Sequence, residues 1–162
     1  MPRAKAAPLR DDELLITREF AAPRTLVWRM WAEKQHLLRW WGPEGFTVTD
    51  LDHDFRPGGR WRVGMVSERY GRGWSSGVFR TIEPEDLLVF TFAWEEGTGD
   101  PLETIVTVRF EEKDGRTLQH FHQTPFSSVA SRDSHVAGWN SLFNKEAAYA
   151  VDFPGGQGTT KS

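Results

Sequence analysis

The 162-residue chain contains no cysteine. That absence excludes disulfides, thiolate nucleophiles and Cys-ligated zinc or iron–sulfur centres. Charge of one sign is also missing, since 20 Lys and Arg stand against 23 Asp and Glu, a formal net charge of -3. So even a balance provides no field to hold a polyanion or an acidic membrane surface, and nucleic acid is not an expected partner. No apolar run is long enough to span a bilayer, and MPRAKAAPLRDDE turns acidic before the apolar stretch of a secretory signal develops. No membrane insertion is expected, and the cytoplasm is the expected location. Catalytic signatures are lacking too: there is no nucleophile elbow, no phosphate-binding glycine loop and no His-Glu-x-x-His. No cofactor is expected, and Gly58-Gly59 reads as a hairpin turn rather than a phosphate cradle.

What the chain has in abundance is tryptophan, with eight residues. Each indole brings a large apolar surface and one N–H that needs a partner when buried. The length suits one domain with a sizeable core. Its expected limits are residues 12–152, between a flexible N-terminus (1–11) and a disordered tail (153–162).

Leu14 to Phe20 reads as a first strand, broken by Ala21-Ala22-Pro23, with Pro23 suited to a first helical turn. Leu26, Val27, Met30 and Trp31 recur at helical spacing. Leu37, Trp40 and Trp41 share one face of a second short helix, stopped by Gly42-Pro43. Strands are then expected at 46–55, 60–66, 74–82, 87–94, 103–110 and 116–124, joined by short turns, which implies an antiparallel meander. Trp61, Val63 and Met65 fall on one face, as do Leu88, Phe90, Phe92 and Trp94. The facing of Trp74 is left open by the glycine-rich turn before it. A final helix over 128–151, with Ser127 as N-cap, places Val136, Trp139, Phe143 and Ala150 on one stripe. At 1.5 Å per residue it is about 35 Å long, enough to cross a sheet.

The segments FAAPRTLVWRMWAEKQHLLRWWGPEGF, DFRPGGRW, GVFRTIEPEDLLVFTFAW and HVAGWNSLF carry a resemblance. They resemble the bacterial homologues of the activator of the ninety-kilodalton heat-shock protein ATPase, within the START-like superfamily, over residues 12 to 152. The resemblance implies an α+β helix-grip fold: a strand, two short helices, an antiparallel meander and a long C-terminal helix across a curved sheet. It also implies an apolar cavity between sheet and helix. The eukaryotic activator's separate chaperone-contacting domain has no counterpart in these residues, so chaperone activation is not carried over.

Three positions depart from the family pattern towards polarity: His53, His120 and Glu146. In LQHFHQ, alternation puts Leu118, His120 and His122 on one face and Gln119 and Phe121 on the other. If Leu118 faces inward, His120 enters the cavity. Glu146 continues the inward stripe of the last helix, either reaching solvent at an open end or joining a polar floor. The expected ligand-binding set is Trp41, Phe46, His53, Trp61, Phe79, Phe90, Phe92, His120, His122, Trp139, Phe143 and Glu146. The main functional expectation is binding of a small hydrophobic or aromatic molecule. The alternatives are a cyclase- or dehydratase-like enzyme using His120 and Glu146 as acid and base, and a protein-interaction domain whose cavity is filled by side chains. No metal is expected, because His53, His120, His122 and Glu146 lack ligand spacing. Arg56 and Asp54 read as a structural ion pair. A homodimer, through a sheet edge or the tryptophan-bearing helices, is a further expectation.

Overall fold

The computed structural model describes residues 9–95 and 97–152, so the expected disordered tail and most of the flexible N-terminus lie outside the described residues. Seven strands form: β1 (Leu14–Phe20), β2 (Thr47–His53), β3 (Arg60–Ser67), β4 (Gly71–Glu83), β5 (Leu87–Trp94), β6 (Thr104–Lys113) and β7 (Arg116–Thr124). Three helices accompany them: α1 (Arg24–Ala32), α2 (Lys34–Leu37) and α3 (Val129–Val151). The strands make one antiparallel sheet in the order β1-β7-β6-β5-β4-β3-β2. Every neighbour pair except β1–β7 is a sequential hairpin, the meander expected from short turns. The α+β helix-grip architecture is thus observed, with α3 packed on the inner face.

Burial follows the alternation. Leu88, Phe90 and Phe92 of β5 are buried, as are Val106, Val108 and Phe110 of β6, and Trp139, Leu142, Phe143 and Ala150 of α3 meet the same core. Trp28 packs edge-on against Phe55 and Phe110, and Trp31 does so against Trp40 and Trp41. Helix α2 stops at Leu37, four residues short of the expected reach. Trp40 therefore sits in a turn, where it is fully buried and its indole N–H donates to the Met30 carbonyl at 3.1 Å.

Two local expectations change. The α3 N-cap is Ser128, whose hydroxyl accepts the Ser131 amide at 3.0 Å, while the Ser127 hydroxyl instead donates to Asp100. Strand β4 begins at Gly71, three residues early, which settles the facing of Trp74. It lies over Gly64 of β3 on the face away from α3, where a Cβ on Gly64 would stand 2.6 Å from the ring. The Arg62 guanidinium caps that ring at 3.9 Å and is itself held bidentately by Glu95, at 2.7 and 2.8 Å. Arg56 and Asp54 pair as expected, on the surface.

Candidate functional site

The inner face of β7 presents Thr117, Gln119, Phe121 and Gln123, all buried. The opposite register, with His120 and His122 inward, is thereby corrected. His120 lies on the outer face between the Glu111 carboxylate (2.8 Å) and the Thr17 hydroxyl (3.1 Å), and His122 contacts Glu13 at 2.8 Å. The reason is chemical. Buried indoles need acceptors, and amide oxygens on this strand supply them. Trp31 donates to Gln119 at 2.9 Å and Trp139 to Gln123 at 2.7 Å. Gln123 in turn donates to Thr104 at 2.8 Å, whose hydroxyl donates to the Phe92 carbonyl at 3.0 Å.

Glu146 is wholly buried, which corrects the expectation that it reaches solvent at an open end. Its Oε1 accepts from Gln119 at 3.2 Å and its Oε2 has no hydrogen-bond partner. Burial pushes its carboxyl up to about 8, against the opposing pull of the Gln119 amide and the Trp31 indole. Strand β7 separates it from His120, so the expected acid/base pair is not assembled. His53 lies elsewhere, half-buried and stacked on Phe55, with burial lowering its pKa first. The four residues weighed as metal ligands are therefore not brought together.

The interior beneath α1 and α2 is filled. Around Trp31 and the expected binding residues His53, Trp61, Phe79 and Phe90 only about 20 Å³ of space remains, so these four are core packing. Phe143 is likewise fully buried against Phe121 and Trp139. A cleft of about 410 Å³ opens instead beside the first half of α3. Its walls carry Trp41, Phe46, Phe92 and Trp139 from the expected set, together with Trp94 and Tyr70. Trp41 meets Trp139 edge-on at 5.5 Å, and Phe92 meets Trp139 at 5.7 Å. The Trp41 turn is tied to α3 by Lys145, whose ammonium donates to the Trp41 and Gly42 carbonyls at 3.2 and 2.9 Å.

The polar side of the cleft was missed in the sequence. Trp94 donates to His135 Nε2 at 2.9 Å, while His135 Nδ1 stands 2.7 Å from the Ser131 carbonyl. An indole only donates and a carbonyl only accepts, so these partners hold the ring as its Nδ1–H tautomer. Asp100, in the loop after β5, accepts from Ser127, from the Ser131 hydroxyl at 2.8 Å and from the Leu102 amide at 3.1 Å. The Ser127 hydroxyl foremost, and then the Leu102 amide, hold its carboxyl below the usual range. The one available signal was spacing: Ser131, His135, Gly138 and Trp139 recur one helical turn apart on a single face.

A helix-grip domain with an aromatic cleft between sheet and long helix is the class these features define. Residues 21–150 match the family described as Activator of Hsp90 ATPase homolog 1-like protein, and the chain belongs to that family. Among solved structures, it is similar to protein CV1439 of Chromobacterium violaceum (TM-score 0.80, 21% identity, 87% of this chain and 98% of that one). It is also similar to the AHSA1 (SPO3351) protein of Silicibacter pomeroyi (TM-score 0.77, 28% identity, 86% and 97%). Protein Ms6760 of Mycobacterium smegmatis shares the fold as well (TM-score 0.72, 24% identity, 93% of each chain). No curated protein matches. Among the described residues no helix is long and apolar enough to cross a membrane.

Proposed function

We propose that the protein binds a small, largely apolar aromatic molecule in the cleft between α3 and the β3–β5 part of the sheet. The observation that carries this reading is the state of the wall indoles. Trp139 and Trp94 already have acceptors inside the protein, in Gln123 and His135. Their hydrogen-bonding edges are spoken for, and what remains for a guest is ring face. A volume of about 410 Å³ lies within the range of small-molecule pockets. The family supports the same reading at the level of a ligand-binding domain.

The test is native mass spectrometry of protein purified from its own host, followed by tryptophan fluorescence titration with cleft-sized aromatic compounds. Retained mass and a saturable fluorescence change are expected. Trp139→Phe is expected to weaken binding about tenfold and to shrink the signal, because it cuts back one wall and leaves Gln123 without its donor. No retained molecule and no response across a broad aromatic panel would sink the proposal.

A further inference from the structure

The charge of the cleft is one-sided. Among its described lining residues Asp100 is the sole charged side chain, and no Lys or Arg is present. His135 makes no ion pair with Asp100, since its two nitrogens are committed to Trp94 and the Ser131 carbonyl. Asp100 forms no ion pair among the described residues. Its partners are two hydroxyls and one amide, all neutral. A carboxylate offers about four acceptor positions, so three neutral donors leave both its charge and one position unspent. The start of α3 helps keep Asp100 ionised but does not cancel its field at the cleft.

Aromatic faces stand beside this charge. Gly99, the residue before Asp100, lies so close to Trp94 that an added Cβ would be 2.9 Å from the ring. Trp94 is therefore seated directly against the loop that carries the carboxylate. Tyr70 and Phe46, stacked at 6.0 Å with ring planes 4° apart, stand at the same cleft. A carboxylate next to indole and phenyl faces attracts a desolvated cation twice over, by direct charge and through the ring quadrupoles. A carboxylate- or phosphate-bearing guest would meet repulsion with no counter-ion in the cleft.

Resting on the binding reading above, we propose that the cleft selects an organic ammonium: an aromatic body against Trp94 and Trp139, with a protonated amine directed to Asp100. This excludes fatty-acid and other anionic apolar ligands as preferred guests.

The experiment is isothermal titration calorimetry on the full chain with three near-isosteric probes: 1-naphthylmethylamine, 1-naphthalenemethanol and 1-naphthoic acid. The amine is expected to bind at least about tenfold more tightly than the acid, with the alcohol between them. Asp100→Asn keeps an acceptor oxygen for the serines and removes the charge, so the amine-to-acid ratio should fall to within about threefold. If the alcohol binds but the amine has no advantage over the acid, the charge selection is overturned and the aromatic cleft stands. If the ratio survives in Asp100→Asn, its assignment to Asp100 is overturned. If none of the three binds, both readings fall. The wild-type ratio decides on its own should the variant fold poorly.

Discussion

Gly77→Ala is expected to lose about 3–5 kcal/mol of stability, although it adds a single methyl group. The β4–β5 ladder pairs Ser76 with Ala93 and Phe79 with Phe90, and between these pairs it opens. Into the gap comes the Trp61 indole, which donates to the Thr91 carbonyl at 3.0 Å, while the Thr91 hydroxyl takes over the Val78 amide at 2.8 Å. A Cβ at Gly77 would stand 1.8 Å from that carbonyl oxygen and 2.6 Å from the indole nitrogen. Neither neighbour is the end of a flexible chain. The strands must part and the indole must leave its acceptor and strand a buried N–H, at about 1–3 kcal/mol for each fault. Urea denaturation followed by circular dichroism measures the loss. Gly138→Ala is the control, because nothing lies within 4 Å of an added Cβ there and α3 should gain about 0.5–1 kcal/mol. A loss at Gly77 below about 1 kcal/mol would refute this account of the gap.

The same indole chemistry explains what could be read in the sequence and what could not. Strands such as Leu87–Trp94 were legible because one face is uniformly apolar, so period two leaves a single choice. LQHFHQ offers no such asymmetry. Each of its faces holds one apolar residue flanked by polar ones, and alternation cannot choose between them. The choice is made by Trp31 and Trp139, which arrive from two different helices needing acceptors. A count of buried indoles against available amide oxygens would have favoured Gln119 and Gln123 over the histidines. The aromatic half of the cleft was legible in Phe92 and Trp139, since strand and helix periods place them, and in Trp41 from its place just before the Gly42-Pro43 stop. Its polar half was not, because Asp100 sits in a loop that has no period and is positioned by docking on Ser127 and Ser131 and by the Leu102 amide. Glu146 was legible in place, on the stripe of Trp139 and Phe143, but not in chemistry. Its character depends on a partner 27 residues away whose facing was undetermined.

That chemistry yields the second large effect: wild-type stability should fall as pH rises, and Glu146→Gln should abolish most of the fall. Glu146 has its carboxyl raised from 4.5 to about 8 in the folded protein, with burial as the main cause. Below pH 4.5 the group is protonated whether the chain is folded or not, and no penalty arises. Between 4.5 and about 8 the unfolded chain ionises while the folded one resists, so each pH unit costs the fold about 1.4 kcal/mol. Above about 8 both states are ionised and the loss levels off at up to roughly 5 kcal/mol. Glutamine retains an oxygen to accept from Gln119 but cannot ionise. Near pH 4.5 the variant should match wild type or fall slightly below it, since its second amide hydrogen has no designated acceptor. By pH 8.5 it should be several kcal/mol the more stable of the two. Urea midpoints for both proteins at pH 5, 6.5 and 8.5 decide the matter, and parallel pH profiles would show that Glu146 is not the group that titrates. The ammonium selection proposed for the cleft is separable from this effect, because Glu146 lies in the closed core and does not line the cleft. Glu146→Gln should therefore leave the amine-to-acid ratio intact at any pH where the fold holds.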